Sequence, residues 1–256
     1  MFAAEILEAE GLGAGSAGGP LVVQCSSLGR LSANYLAALR AALGGERMEL
    51  VWPSAESVRA GRLGWAAGGS LCLNAKAVDA PMRQLMRCKY EGLPVSSSSC
   101  CFLFCLQQFA QERAGVSPHI KTLWRMAAGA GRELRWLYVG SANLSKSAWG
   151  EVQQPASGGP PQLRVASFEI GVLFVPRLVS RCAGRPVRLL LGEGNERDRP
   201  AAGDIVLPVP FRYPCEQYSA TLSGQERLDD MPWTWDVAYQ QRDSQGQHWH
   251  GIHSKH

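Results

Sequence analysis

Five short stretches of strand-forming apolar residues constrain the fold of this chain most strongly. They are LVVQCSSLGR (21–30), MELVWPS (48–54), HIKTLWR (119–125), ELRWLYVGS (133–141) and SFEIGVLFVP (167–176). Two helical patterns lie among them: SANYLAALRAAL (32–43), with Ser32 as the N-cap, and DAPMRQLMRCK (79–89), with Pro81 in the first turn. Strands mixed with helices in this way predict an α/β layer architecture.

The composition bounds the domain organisation. Hydrophobic residues make up 46% of the 256 residues, so the chain can bury a core as one large domain or two small ones. Residues 1–19 end in GLGAGSAGGP, which predicts a flexible leader before a domain over 20–256. No membrane contact is expected, because the longest apolar run, CCFLFCL (100–106), is far shorter than the ~20 residues that span a bilayer. The net charge of +4 permits a phosphate-bearing partner without requiring one.

The segment KYEGLPVSSSSCCFLFCLQQ (89–108) fits neither a helix nor a strand pattern. Ser, Cys, Phe and Leu are residues that pyrimidine-rich codons encode, and Lys-Tyr-Glu can be read from codons that contain a splice donor. Residues 89–107 are therefore interpreted as retained intron sequence, with a disordered surface loop as the alternative. Both interpretations predict that the segment contributes nothing to the fold.

His119 and Lys121 form the first candidate site. Residues two apart on a strand point to the same face, so the imidazole and the ammonium can converge on one group. A lysine next to a histidine suits an anion, especially a phosphate, which the lysine holds while the histidine moves a proton. The alternative is that the pair lies on the protein surface without a catalytic role, which is common for an isolated His-x-Lys pair.

The second candidate is VGSANLSKSAWG (139–150), where an apolar strand runs into a turn of small residues. Backbone N–H groups and the side chains of Ser141, Asn143 and Ser145 could cradle an oxyanion there, and Lys146 could reach a neighbouring phosphate. The alternative is a capped turn that uses Ser and Asn for local hydrogen bonds.

The third candidate is Glu169, a carboxylate among apolar residues of a predicted strand. A buried acid needs a partner, commonly a histidine or an arginine. The alternative is that Glu169 lies on the solvent face of an edge strand.

Together these elements resemble a known family. The order His-x-Lys, strand, Gly-Ser-x-Asn is similar to the active-site motif of the phospholipase D superfamily. PHIKTLWR, GSANLSKSAWG, SFEIGVLFVP, LPVPF and PWTWDVAY resemble the C-terminal half of a tyrosyl-DNA phosphodiesterase of the 3′-end-processing type. VVQCSSLG, YLAAL, WPSAESVR and AGGSL extend the resemblance upstream, so that it covers about 21–250.

The resemblance implies a fold and a mechanism. The expected fold is a phospholipase D-like α-β-α sandwich around a mixed sheet, one of two similar halves that share an active site. A histidine of the other half would attack the phosphorus at a DNA 3′ end and form a phosphohistidine. His119 would protonate the leaving tyrosine of a stalled topoisomerase peptide and then activate water. Lys121 and Asn143 would hold the phosphoryl oxygens, and Glu169 would orient the nucleophilic histidine.

Further residues match by resemblance with substrate-binding positions. They are Ser26, Ser27, Ser70, Ser141, Lys146 and, on the peptide side of the cleft, Trp235. The implied partner is a single-stranded or nicked DNA 3′ end that bears a tyrosyl peptide, and the implied location is the nucleus. The family uses no metal, so neither a cofactor nor a metal site is expected, including at the terminal HWHGIHSKH (248–256).

The chain also departs from the family pattern. It has no histidine before His119, and hence no second His-x-Lys motif. The N-terminal half that carries the nucleophile, which is the intramolecular partner of this half in the family, is expected to be missing from an incomplete gene model or fragment. Its absence would leave the chain almost inactive alone and one apolar face exposed. Two alternatives stay open: a homodimeric phospholipase D-type phosphodiesterase, and a non-catalytic module that binds DNA ends.

Overall fold

A computed structural model describes residues 2–88, 116, 119–129, 131–156, 158–192, 201–211, 213–218 and 227–252. The segment interpreted above as an insert, 89–107, lies outside these residues. The helices are α1 (Phe2–Ala9), α2 (Ala33–Ala42), α3 (Ala55–Arg59), α4 (Ala80–Leu85), α5 (Lys146–Trp149) and α6 (Pro176–Ala183). The strands are β1 (Leu21–Gln24), β2 (Met48–Val51), β3 (Met86–Cys88), β4 (Lys121–Met126), β5 (Leu134–Gly140), β6 (Glu151–Gln153), β7 (Gln162–Arg164), β8 (Gly171–Phe174), β9 (Arg188–Gly192), β10 (Asp204–Pro208) and β11 (Glu216–Gln217). Within the described ranges, no helix combines the length and the apolar character needed to cross a membrane.

A seven-stranded mixed sheet organises the fold, in the order β11-β3-β2-β1-β4-β5-β8. The pairs β1–β2 and β2–β3 are parallel, whereas β4 pairs antiparallel with both β1 and β5. β8 pairs antiparallel with β5 and forms one edge of the sheet. Strands β9 and β10 form a separate parallel pair, and β6 and β7 a short antiparallel ribbon. The prediction of an α/β fold with a mixed sheet is confirmed.

The sheet separates two apolar clusters. Val23 of β1 points into the first cluster, which also contains Leu39 of α2. Its neighbour Val22 points into the second, with Leu189 of β9 and Phe211. Helices α1 to α4 cover the first face, whereas β9, the chain near Phe211 and Val179 of α6 cover the second among the described residues. Burial on both faces fixes β1 at the centre of the sheet, and it positions the loop that follows.

The local helix signals behave as expected. Ser32 caps α2 by accepting a hydrogen bond from the Tyr35 N–H, and Leu39 and Leu43 are buried on one helical face. Asp79 caps α4 in the same way, with Pro81 in the first turn. The chain turns from α4 directly into β3, so the predicted helix over 79–89 is shorter than expected.

The flexible leader expected at 1–19 differs from the structure. α1 occupies much of this segment, and Leu7 on it is fully buried in the first cluster. Farther along, the guanidinium of Arg125 donates to Ser16 Oγ at 3.0 Å, to Ser16 O at 3.1 Å and to Gly19 O at 3.2 Å. Glycine and alanine composition suggested flexibility, but a buried arginine from β4 holds this segment against the domain.

Candidate active site

His119 and Lys121 converge, as the sequence predicts. The Lys121 Nζ lies 3.4 Å from Nδ1 and 3.5 Å from Nε2 of His119, and it donates to the His119 carbonyl oxygen at 2.5 Å. β4 begins at Lys121, so His119 precedes the strand, whereas the sequence predicts that it lies on the strand. The ammonium thus donates to the His119 carbonyl oxygen, and the imidazole is exposed at the end of the sheet.

Lys121 is a buried cation. The residue is only 2% exposed, and among the described residues the hydrogen-bond contacts of its ammonium are all with His119. Burial lowers the pKa of Lys121, against the smaller opposing effects of Cys25 and Glu169. Because a buried charge is costly without a counter-charge, this ammonium is prepared for an anion that approaches from the His119 side.

Cys25, at the end of β1, belongs to the same region. Burial raises the pKa of its thiol to about 12, although the positive charge of Lys121 acts in the opposite direction. The thiol is therefore protonated at neutral pH and does not serve as a counter-charge for Lys121. Sequence reasoning did not single out Cys25, and a cysteine that ends an apolar strand carries no signal that would have done so.

Asn143 is fixed by the loop that follows β1. Its Oδ1 accepts hydrogen bonds from the Ser27 N–H at 3.0 Å, the Ser26 N–H at 3.2 Å and the Ser26 hydroxyl at 3.3 Å. Because backbone N–H groups only donate, these contacts settle that the carboxamide oxygen faces Ser26 and Ser27. The amide NH₂ therefore points the other way and can donate to a ligand.

These contacts change the expectation for Ser26 and Ser27. Both were expected to bind DNA phosphates, but Ser26 is 2% exposed and its hydroxyl donates to Asn143. The structure thus gives Ser26 a positioning role, while the half-buried Ser27 still lies at the surface of the site. The sequence places these serines 117 and 116 residues from Asn143, too far apart for local patterns to connect them.

Glu169 lies just before β8 and not on the strand itself. Its carboxylate is exposed, and Oε2 accepts a 2.5 Å hydrogen bond from the Ser141 hydroxyl. Ser141 Oγ in turn accepts from the Ile170 N–H at 3.0 Å. Of the two alternatives left open for Glu169, the structure thus favours the solvent-facing acid, and Ser141, expected to bind substrate, holds it at the end of β5.

Tyr138 packs beneath the hydrogen bond between Ser141 and Glu169. β5 pairs with β8 so that Gly140 lies opposite Gly171, and the Tyr138 ring crosses over both. A Cβ at Gly140 would clash with the Tyr138 hydroxyl, and one at Gly171 would clash with the edge of the same ring. Burial raises the pKa of Tyr138, so its hydroxyl stays protonated. The glycine at the end of each paired strand is the sequence signal that could have revealed this packing.

Lys146 is held by two neighbours. Its ammonium forms an ion pair with Glu151 and lies 5.7 Å from the centre of the Tyr35 ring. The Tyr35 hydroxyl donates to the Ser145 carbonyl oxygen at 3.3 Å. Ser145 Oγ caps α5 by accepting from the Ala148 N–H, as the alternative of a capped turn describes. Neither Tyr35 nor Glu151 was predicted to lie here.

Ser70 and Trp235 lie apart from this hydrogen-bond network. The exposed Ser70 hydroxyl donates to the Ala67 carbonyl oxygen, at the end of a 3₁₀ helix. Trp235 is half-buried against the first apolar cluster, and its carbonyl oxygen accepts from the Trp249 indole. Neither makes a described hydrogen bond to His119, Lys121 or Asn143, so their substrate contacts stay predictions.

An exposed apolar surface adjoins Glu169. We call it the β8 surface and define it as Phe168, Ile170 and Val172, which are 107%, 83% and 56% exposed. These residues alternate along the edge of the sheet, and Val165 and Leu163 continue the exposed apolar character toward β7. Such a surface next to a polar site is typical of an interaction site, in line with the apolar face expected from the sequence. Among the described residues, no three His, Cys, Asp or Glu side chains are arranged to hold a metal ion.

Comparisons with known proteins agree on one family. A sequence model described as "Tyrosyl-DNA phosphodiesterase" matches residues 4–219. The chain is 29% identical over 263 residues to tyrosyl-DNA phosphodiesterase 1 of Arabidopsis thaliana, covering 90% of this chain and 38% of that protein. It is 32% identical over 171 residues to a probable tyrosyl-DNA phosphodiesterase of Schizosaccharomyces pombe, covering 64% of this chain and 30% of that protein.

Solved structures share the fold. The crystal structure of the yeast tyrosyl-DNA phosphodiesterase superposes with a TM-score of 0.52 at 19% identity, covering 84% of this chain and 51% of that one. A crystal structure of a mutant of the same yeast enzyme, in which alanine replaces a histidine, gives a TM-score of 0.51 at 20% identity, over 85% of this chain and 51% of that one. The chain thus spans between about a third and a half of the proteins that it resembles.

Proposed function

The chain belongs to the tyrosyl-DNA phosphodiesterase family, and from this premise we propose that it binds DNA 3′ ends and supplies the acid–base half of a phosphodiesterase site. The bond to be broken joins the DNA 3′ phosphate to a tyrosine of a topoisomerase peptide. The proposed setting is DNA repair in the nucleus.

The buried ammonium of Lys121 beside the exposed His119 ring carries this proposal. Lys121 is 2% exposed, and its ammonium lies 3.4 Å and 3.5 Å from the two ring nitrogens of His119. A phosphoryl oxygen that approaches the imidazole therefore meets a desolvated positive charge. Charge-assisted hydrogen bonds of this kind are about twice as strong as neutral ones.

His119 serves as the proton carrier of a two-step reaction. In the first step a histidine nitrogen of the other half bonds to phosphorus, the bond from phosphorus to the tyrosine oxygen breaks, and His119 gives that oxygen its proton. In the second step His119 takes a proton from water, whose oxygen displaces the histidine and leaves a 3′ phosphate. One group acts as acid and then as base, which requires it to be exposed to the leaving group and to water.

Asn143 and Glu169 support this chemistry from either side. The Asn143 NH₂ is directed away from Ser26 and Ser27, so it can donate to a phosphoryl oxygen as negative charge builds. Glu169 is exposed and held by Ser141, so it can accept a hydrogen bond from a histidine of the other half of the family fold. Within this chain Glu169 orients no histidine among the described residues.

The nucleophile is proposed to come from the N-terminal half of the family fold, as an earlier part of the same protein or as a second polypeptide. The given sequence has no histidine before His119 and spans 38% of its Arabidopsis relative. The β8 surface borders Glu169, which makes it the proposed contact for that half. A homodimer is the alternative that the exposed edge of β8 also permits. A monomer by light scattering with no turnover would reject the homodimer.

Binding and turnover of a single-stranded oligonucleotide with a 3′-phosphotyrosyl group test the proposal. We expect salt-dependent binding, in which each phosphate neutralised contributes about −0.7 to the slope of the logarithm of the binding constant against log salt concentration. Asn143→Asp keeps the acceptor for Ser26 and Ser27 but loses the amide donor, so affinity should fall about tenfold or more without loss of folding.

Turnover separates catalysis from binding. The chain alone should be nearly inactive, and activity should appear when a polypeptide with the missing His-x-Lys half is added. His119→Ala should abolish that restored activity while binding persists. Binding without any restored activity would favour a non-catalytic DNA-end-binding module, and the absence of salt-dependent binding would reject the proposal altogether.

A further inference from the structure

Lys146 forms an ion pair within the chain in the absence of DNA. Its ammonium forms an ion pair with Glu151 at the start of β6, and the two side chains are 38% and 36% exposed. Under the proposed function a DNA phosphate has to meet the same ammonium. A carboxylate and a phosphate are both anionic acceptors, so they compete for Lys146.

Tyr35 keeps the base of Lys146 in place. Its hydroxyl donates to the Ser145 carbonyl oxygen, and the Ser145 N–H donates to the Asn143 carbonyl oxygen at 2.9 Å. The Tyr35 ring lies under the ammonium at 5.7 Å. Burial raises the pKa of Tyr35 to about 12, so it remains a donor throughout the physiological range. The turn that carries Asn143 and Lys146 is thus fixed, and only the outer part of Lys146 has to move.

Glu151 has other partners when Lys146 leaves. It lies opposite Arg164 in the pairing of β6 with β7, and Gln153 Nε2 is 3.5 Å from its Oε2. The hydrogen bond from Lys146 lowers the pKa of Glu151, and the charge of Arg164 acts in the same direction. The carboxylate therefore keeps a positive neighbour after the exchange, which lowers the cost of releasing Lys146.

We propose that Glu151 is an exchangeable counter-ion for Lys146, which the phosphate of a DNA 3′ end displaces on binding. The inference rests on the proposed function and deepens it by naming an internal competitor of the substrate. Glu151 thus weakens the binding of a phosphate that reaches Lys146 by the cost of breaking the ion pair. The binding of nucleic acid that does not reach Lys146 is left unchanged, because the ion pair then stays intact.

A double-mutant cycle tests the competition. Fluorescence anisotropy would measure the affinity for a single-stranded oligonucleotide with a 3′ phosphate in four proteins: the unsubstituted chain, Glu151→Gln, Lys146→Ala and the double variant. Glu151→Gln should tighten binding by about two- to fivefold at low salt, because an exposed ion pair of ordinary strength no longer has to be broken. The gain should shrink at high salt.

The Lys146→Ala background separates competition from general repulsion. There Glu151→Gln should change affinity by less than about 1.5-fold, since no ammonium is left to release. Equal tightening in both backgrounds, no tightening in the unsubstituted background, or weaker binding by Glu151→Gln would each overturn the inference. If Lys146→Ala and Asn143→Asp both bind as tightly as the unsubstituted chain, the proposed function fails whatever Glu151 does.

Discussion

At the scale of single residues, the site depends on charges placed where they are costly. Lys121 is buried without a described carboxylate partner, and its hydrogen-bond contacts are all with His119. Replacing a buried charge by an apolar side chain of similar size is often neutral or stabilising. Under the proposed function, ligand binding and not folding accounts for this lysine, which is a common compromise at functional sites.

Lys121→Met should separate these two effects. We expect the free energy of unfolding to rise by about 1–3 kcal/mol at neutral pH while DNA binding falls, and urea titration with anisotropy would measure both. Because burial lowers the folded-state pKa of Lys121, the unfolded chain binds more protons between that pKa and the ordinary lysine value. The free energy of unfolding of the unsubstituted chain should therefore rise toward that of the variant as pH rises through this range, so that the difference between them shrinks. A constant difference across pH would contradict this explanation.

Part of the site was predictable residue by residue. The alternation of side chains along an extended chain was enough to predict that His119 and Lys121 converge. It could not predict that Ser26 positions Asn143, because that contact spans 117 residues and depends on how β1 and β5 are placed in the sheet. The sequence left Glu169 open between a buried acid and a solvent-facing one, because its apolar neighbours face solvent at an edge.

At the scale of elements, β4 connects the site with the N-terminal segment. Lys121 at its start faces the site, and Arg125 near its end is 1% exposed and holds Ser16 and Gly19. Burial lowers the pKa of Arg125, and the charge of Arg135 adds to that effect. The segment before β1 therefore supplies the carbonyl oxygens that a buried guanidinium needs.

Arg125→Met should loosen this segment. Three hydrogen bonds to the guanidinium are lost, and we expect a decrease of about 2–4 kcal/mol in the free energy of unfolding. Hydrogen exchange should increase for amides between α1 and β1. Ser16→Ala is the matched control, because it removes one acceptor and keeps the carbonyl oxygen. Unchanged exchange in the Arg125 variant would show that α1 holds the segment without it.

The elements themselves were predicted better than their limits. All five apolar stretches contain strands of the central sheet, and Ser32 caps the predicted helix. The composition of 1–19 was misleading, since small residues such as those near Gly13 allow the close packing seen against Glu8. The short strands β6, β7 and β11 carry too few residues for a recognisable period.

At the scale of the whole molecule, the sheet has one edge beside the site. Among the described strands, β8 pairs only with β5, and the residues of the β8 surface face solvent there. An edge strand with exposed apolar side chains tends to pair with another chain. The isolated chain should therefore associate as its concentration rises.

Ile170→Lys should suppress this association. Light scattering should show a larger monomer fraction than for the unsubstituted chain, because a charge on the edge opposes strand pairing. Val152→Lys is the control, since Val152 is 68% exposed but lies on the separate β6–β7 ribbon. Equal effects of both substitutions would indicate general surface hydrophobicity and not the β8 edge. The same Ile170 variant should also weaken activation by the added half.

The glycines that face each other across β5 and β8 are expected to be sites of inactivating mutations. A methyl group at Gly140 would lie 2.6 Å from the Ile170 carbonyl oxygen, as well as against the Tyr138 hydroxyl. Alanine there would force apart the backbone that presents Ser141 and Glu169. A random-mutagenesis screen of the complemented enzyme should therefore recover inactivating alleles at Gly140 and Gly171, although neither residue carries a functional group. Variant classification that considers only charged positions would score these alleles as harmless.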